Sequence, residues 1–275
     1  MRVLERTTRT ALLGVRAWDG ATGRAVTDGL TLTEVRRGVR AVPTRSGVFA
    51  FHDLPGLRPS SFGAGDDGFW ASPPAHARLT LELSDERKRY LDFRFDADAP
   101  GQGVFRESCA AGSPPELDVP GVPLFSSPGR LVPGGLAAVR AELWNAQTDA
   151  PAAWAVLEVT AAPRATALGV ADARGSVLVL LPYPEPPWQT GSPPPTAVAL
   201  SEQTWTVDVA VRYDPAATVP GALVAPDLCA VLLQPAATAL AVLSPPVALT
   251  SATLSFGQPL TLATPGHPVL HVTAP

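Results

Sequence analysis

The chain has little of what most chemistry-bearing proteins need. Of its 21 basic residues only Lys88 is a lysine, and none of the arginines forms a basic block. With 25 acidic residues the formal charge is −4, so the electrostatic footprint of a nucleic-acid binder is missing. No stretch approaches the roughly 18 apolar residues of a membrane helix. Two cysteines, Cys109 and Cys229, stand far apart and form no C-x-x-C pair, which argues against a zinc or redox motif. The expectation for them is two reduced structural thiols. Neither a G-x-S-x-G elbow nor an H-E-x-x-H motif occurs. The expected catalytic, cofactor and metal residues are therefore none. The first residues, Met1-Arg2-Val3-Leu4-Glu5-Arg6, are charged, and Ala11-Leu12-Leu13-Gly14-Val15 is too short for a signal-peptide core. The expectation is cytoplasmic assembly without a secretory signal, with an extracellular location left open for a released particle.

What is present is turn chemistry and alternation. The 31 prolines and 23 glycines are scattered among short apolar runs, and 46% of residues are hydrophobic against 17% charged. That composition can build a core and divides it into many short strands. Leu79, Leu81 and Leu83 alternate with Thr80 and Glu82. Leu91, Phe93 and Phe95 alternate with Asp92 and Arg94, across a charged turn of residues 84–89. This predicts a hairpin with one wet face. Trp205, Val207, Val209, Val211 and Tyr213 predict a long half-buried strand. Leu228 to Leu233, Leu240 to Leu243, Ala252 to Phe256 and Val269 to Val272 read as further short strands. Almost no charge follows Asp227, so an edge there would be adhesive unless covered.

The chain also repeats itself. Gly175 opens the apolar run Ser176-Val177-Leu178-Val179-Leu180-Leu181 ending at Pro182, as Gly47 opens Val48-Phe49-Ala50-Phe51 before Leu54-Pro55. Trp144 answers Trp18 at an offset of 126, and Gly175 answers Gly47 at 128. Nearly constant offsets indicate a duplicated unit. The reading is all-β: two tandem antiparallel β-sandwich domains at 1–100 and 122–275. A Pro/Gly/Ser-rich linker joins them at 101–121, and a proline-rich insertion falls at 182–197. Pro123-Leu124-Phe125 would open the second domain. In the insertion, Tyr183, Pro186, Pro187 and Trp188 are the candidate partner contacts, aromatic anchors on a stiff loop.

Three motif-like stretches have plainer explanations. Gly63-Ala64-Gly65-Asp66-Asp67-Gly68 spells G-x-G-x-x-G, but it follows no strand and its aspartates would repel a pyrophosphate. Asp96, Asp98, Gly101 and Glu107 have the spacing of a calcium loop, yet Pro100 replaces a ligand, and whether Asp96 and Asp98 bind calcium stays open. His267 and His271 are four apart, but Pro265 and Pro268 oppose the helix that would align them, and in a strand they would lie apart.

Trp18-Asp19-Gly20-Ala21-Thr22-Gly23 with Ser46-Gly47-Val48-Phe49, and Asp172-Ala173-Arg174-Gly175-Ser176-Val177, resemble the carboxypeptidase regulatory-like, or transthyretin-like, sandwich repeat. That resemblance implies a non-catalytic scaffold of about seven strands in two sheets. Its enzymatic branch, the hydroxyisourate hydrolases, ends in Tyr-Arg-Gly-Ser, where this chain has His271-Val272-Thr273-Ala274-Pro275. A second resemblance rests on residues 91–100, Pro123-Leu124-Phe125-Ser126-Ser127-Pro128, Pro151-Ala152-Ala153-Trp154-Ala155 and Leu181-Pro182-Tyr183-Pro184. It is to proteins encoded beside extracellular contractile injection systems, the phage-tail-like particles of bacteria. It implies a structural adaptor whose partners are other proteins of a multi-subunit particle, with a homo-oligomer left open. The alternative is a carbohydrate-binding or adhesive module using Trp70, Trp188 and Trp205. The third is an enzyme of unknown reaction.

Overall fold

The structure is a computed structural model and describes residues 11–52, 54, 57, 77–101, 109, 121–162, 166–184, 202–216 and 225–275. The chain is built of strands in several sheets. The first part runs β1 (Leu13–Val15), β2 (Ala17–Asp19), β3 (Leu30–Glu34), β4 (Val39–Arg40), β5 (Val42–Pro43), β6 (Phe49–Phe51), β7 (Ala77–Asp85), β8 (Phe93–Ala99) and β9 (Val122–Leu124). The second runs β10 (Leu136–Asn145), β11 (Ala150–Pro151), β12 (Val156–Thr160), β13 (Ala167–Val170), β14 (Ser176–Pro182) and β15 (Thr204–Arg212). It continues through helix α1 (Leu228–Leu232), β16 (Ala236–Leu243), β17 (Pro246–Ala248), β18 (Ser251–Ser255), β19 (Leu260–Leu262) and β20 (Leu270–Thr273).

The hairpin expected from alternation forms as β7 and β8, antiparallel, with Leu81 opposite Phe95 and Leu83 opposite Phe93. Leu79, Leu81, Leu83, Phe93 and Phe95 are all buried, as period two on a one-sided sheet requires. The turn joining them is organised by Asp85. Its buried carboxylate accepts from the backbone N–H groups of Arg87, Arg89 and Tyr90 and from the Arg89 guanidinium.

Strand pairing repeats in register. Leu13 pairs with Phe51 and Val15 with Phe49, as Val139 pairs with Val179 and Ala141 with Val177. Leu30 faces Asp85 and Leu32 faces Leu83, as Val156 faces Arg212 and Glu158 faces Ala210. Thr33 faces Arg40 as Val159 faces Ala167. In both halves a later strand adds in parallel beside an early one: β9 beside β2, β20 beside β10. Gly47 and Gly175 take the left-handed conformation at φ 78° and 81°. At Gly175 a Cβ would lie 2.3 Å from the Leu143 carbonyl oxygen, so only glycine fits this close approach.

Three expectations are corrected. Residues 228–232 form a helix, not a strand. Asp227 caps it, its carboxylate accepting from the Ala230 N–H at 2.8 Å. An apolar run this short does not distinguish the two forms, and the cap decides. Cys109 and Cys229 are joined in a disulfide across 120 residues. Spacing suggested no pair, but the fold brings the α1 region to β8, where the Arg94 N–H donates to the Pro226 carbonyl at 2.9 Å. Val122–Leu124 pairs with β2, and Val122, Leu124 and Phe125 are buried in the core of β1 to β8 rather than opening the second core.

Two large clusters of buried apolar residues result. One gathers residues 12–125 together with Val156, Val170, Leu228, Val231 and Leu232. The other is built from β10 to β20. Helix α1 therefore belongs by sequence to the second half and by packing to the first.

Candidate functional site

A cavity of about 580 Å³ opens where the β7–β8 sheet meets the turns of the second half. Each wall has an identifiable cause. Glu82 and Arg94 are cross-strand neighbours in the hairpin register, and the guanidinium reaches the carboxylate through Nε at 2.7 Å and Nη2 at 2.6 Å. Lys88 Nζ meets Asp92 Oδ2 at 3.2 Å, while Asp92 Oδ1 accepts from the Asp85 N–H. Asp172 folds its own turn, accepting from the N–H groups of Arg174 and Ser176 at 2.8 and 3.0 Å. That leaves the Arg174 side chain without a hydrogen-bond or ion-pair partner among the described residues.

Trp154 forms the aromatic wall. It is half-buried and sits at φ 64°, in the left-handed region that bulky residues avoid. Its carbonyl is held by Gln234 Nε2 at 2.9 Å. Gln234 also donates to the Val231 carbonyl and accepts from the Asp214 N–H, so all three of these bonds fix one buried amide. No expectation from sequence singled out Trp154 in this role. Its place just before an apolar strand, inside a turn closed by the Ala155 N–H to the Ala152 carbonyl, is the available signal.

Behind the cleft lies a buried ion pair. Arg130 binds Asp19 through both ends, Nη1 to Oδ1 at 3.0 Å and Nη2 to Oδ2 at 2.7 Å, with side-chain exposures of 9% and 6%. Arg130 also donates to Ser126 Oγ and lies over the Tyr90 ring at 4.7 Å. Burial pushes the Asp19 carboxyl up. The bonds and charge of Arg130, with the Ala21 N–H and the Thr22 hydroxyl, outweigh it and hold the group below its ordinary value. Burial, then the Asp19 charge, raise the Tyr90 hydroxyl. The pair pins the segment after β9 to the turn after β2.

A second cavity of about 390 Å³ lies between the β16–β17 hairpin and the turn after β10, lined by Leu240, Leu243, Pro246, Asp149, His271 and neighbours. The two histidines expected to lie apart come together. A turn in which the His267 N–H donates to the Thr264 carbonyl folds the chain back, and the rings meet edge to face at 4.8 Å. His271 Nδ1 is buried with no hydrogen-bond partner among the described residues. Burial and then the charge of His267 lower its pKa.

Of the expected contact residues, Tyr183 is half-buried in an aromatic cluster, 4.7 Å from Phe256 and 5.6 Å from Trp205, and its hydroxyl accepts from the Gly257 N–H at 2.9 Å. Pro186, Pro187 and Trp188 lie outside the described residues, as do Trp70, the glycine-rich stretch at 63–68 and Glu107. Trp205, a candidate sugar platform from sequence, is half-buried in this packing. Asp96 and Asp98 sit on β8 rather than in a loop, and Asp96 accepts from Thr80 Oγ1 and Arg78 Nε. Among the described residues no group of three His, Cys, Asp or Glu side chains is placed to hold a metal ion. Nor is any helix long and apolar enough to cross a membrane.

No family model and no curated protein matches the chain. Among solved structures, the Bacillus anthracis TIE protein aligns over 96% of this chain and 34% of that one, at 7% identity and a TM-score of 0.25. The chain thus spans about a third of that protein's length, and a likeness this slight says nothing about function.

Proposed function

We propose that the chain is a non-catalytic structural adaptor of a multi-subunit particle of the phage-tail-like contractile injection kind. In this reading its two in-register repeats act as tandem transthyretin-like sandwiches. The resemblances in sequence supply the particle type, and the surface of the C-terminal part carries the adaptor role. Beyond Asp227 there is no Asp, Glu, Lys or Arg. Within that stretch β17 pairs only with β16 among the described residues, all three of its residues are exposed, and Val242 and Val247 are 42% and 50% exposed. A soluble protein ordinarily guards a free strand edge with charge. An uncharged, apolar edge suits a neighbouring subunit that adds a strand or covers the hairpin.

The disulfide supports service outside the reducing cytosol, which fits assembly inside the cell followed by release of the particle. The test is co-purification. A tagged chain expressed in the producing bacterium is expected to sediment with sheath and tube proteins at fixed stoichiometry. Val247→Asp is expected to abolish that association without lowering the melting temperature. A chain found only as free monomer, absent from particles, refutes the reading.

A further inference from the structure

We propose that the cleft between the β7–β8 hairpin and the Asp172–Arg174 turn is a saccharide-binding site, with Trp154 as its stacking wall. The volume, about 580 Å³, falls in the range of small-ligand sites. Its polar lining is of a particular kind. Glu82 with Arg94, and Lys88 with Asp92, are already paired, so their charges largely offset one another at the cleft. A carboxylate in such a pair keeps free lone pairs, and a guanidinium keeps free N–H groups. A sugar hydroxyl is donor and acceptor at once, so it can bridge both members of a pair. Trp154 adds the complementary apolar part: the C–H face of a pyranose ring packs on an indole face.

Two further observations point the same way. A tryptophan at φ 64° costs conformational energy, and Gln234 holds its carbonyl in that state. Backbone strain of this kind gathers at ligand sites. The Arg174 side chain, unpaired at the rim, is suited to a carboxylate on an acidic sugar. Nucleic acid is disfavoured because three cations face three anions across the cleft. A protein anchor is disfavoured because the walls are rich in ion pairs rather than a dry apolar pocket. The site is independent of the adaptor role, so the failure of either leaves the other standing.

The test uses the full chain and three probes: cellotetraose, chitotetraose and trigalacturonate. At least one is expected to bind with a Kd below about 1 mM by calorimetry. Trp154→Gly suits the left-handed backbone and removes only the ring; it is expected to weaken binding about tenfold or more. Arg174→Ala is expected to weaken trigalacturonate alone. Trp205→Phe, in the distant aromatic cluster, is expected to change nothing. The proposal falls if no probe saturates by about 10 mM, or if Trp154→Gly binds as the parent does. Should that variant lose its folded spectrum, amide shifts in the parent chain decide. Probe-induced shifts at Arg94, Asp172 and Arg174 support the site, and shifts confined elsewhere overturn it.

Discussion

Replacing Arg130 by methionine isolates the buried pair behind the cleft. Methionine keeps an unbranched apolar stem against Tyr90 but removes both charge-assisted bonds to Asp19 and the bond to Ser126. Asp19 then stays buried with only the Ala21 N–H and the Thr22 hydroxyl as partners. Removing one member of a buried pair costs about 3–5 kcal/mol. The two surviving bonds place this case near the lower end, about 3 kcal/mol, or a fall in melting temperature of roughly 6–12 °C for a chain of this size. The pH dependence gives a sharper signature. In the parent, Asp19 titrates below its unfolded value of 3.8, so its stabilising share is present above that value and lost as pH falls through the folded pKa. Without Arg130 burial is opposed only by the Ala21 and Thr22 bonds, so the folded pKa rises relative to the parent. The variant's deficit relative to the parent then shrinks as pH falls toward 4. Urea unfolding at pH 7, 5.5 and 4.5 followed by tryptophan fluorescence measures both effects. A deficit under about 1 kcal/mol at pH 7, or one that grows on acidification, refutes the reasoning. The double variant Asp19→Asn with Arg130→Met is expected to recover part of the loss.

Other expectations follow from single features. Replacing both Cys109 and Cys229 by serine opens a loop of 120 residues and is expected to cost up to about 5 kcal/mol in urea unfolding. Gly175→Ala forces a Cβ to 2.3 Å from a carbonyl oxygen at positive φ and is expected to cost about 2–3 kcal/mol. Gly23→Ala, at similar φ with open space around it, is expected to cost less, which a melting comparison checks. His271 titrates below its ordinary 6.5, so on acidification the unfolded chain takes up the proton first. Melting temperature is therefore expected to drop as pH falls from 7 through the region just below 6.5, and His271→Gln to flatten that drop.

Much of the strand framework was readable because period two leaves little choice. Leu79, Leu81, Leu83, Phe93 and Phe95 have one face to bury, and their alternation pointed to the hairpin; its register, and the start of the second strand at Phe93 rather than Leu91, came from the structure. The recurring turns were readable because Trp18 and Gly47 have counterparts at Trp144 and Gly175, and the strand pairing follows nearly the same offsets. What escaped was everything set by distant segments. Nothing near β2 announces that β9 will lie parallel to it. No spacing rule joins cysteines 120 residues apart. Leu228 to Leu233 looks the same as strand or helix until Asp227 is seen to cap it. The cleft was equally hidden: Arg94 and Glu82 could be matched from the hairpin, but Trp154 and Arg174 enter from turns in another sheet. Asp19, legible as a turn former, gave no hint of the arginine 111 positions away that neutralises it.

The covalent link between Cys109 and Cys229 also has a mechanical meaning. A pull applied to the two ends of the polypeptide travels along the backbone to the sulfurs and crosses there. The positions between them carry no tension while the bond lasts. Stretched out, they would add roughly 400 Å of length. An oxidised chain under load would yield only from its outer segments, and the strands β9 to β15 would be spared the load.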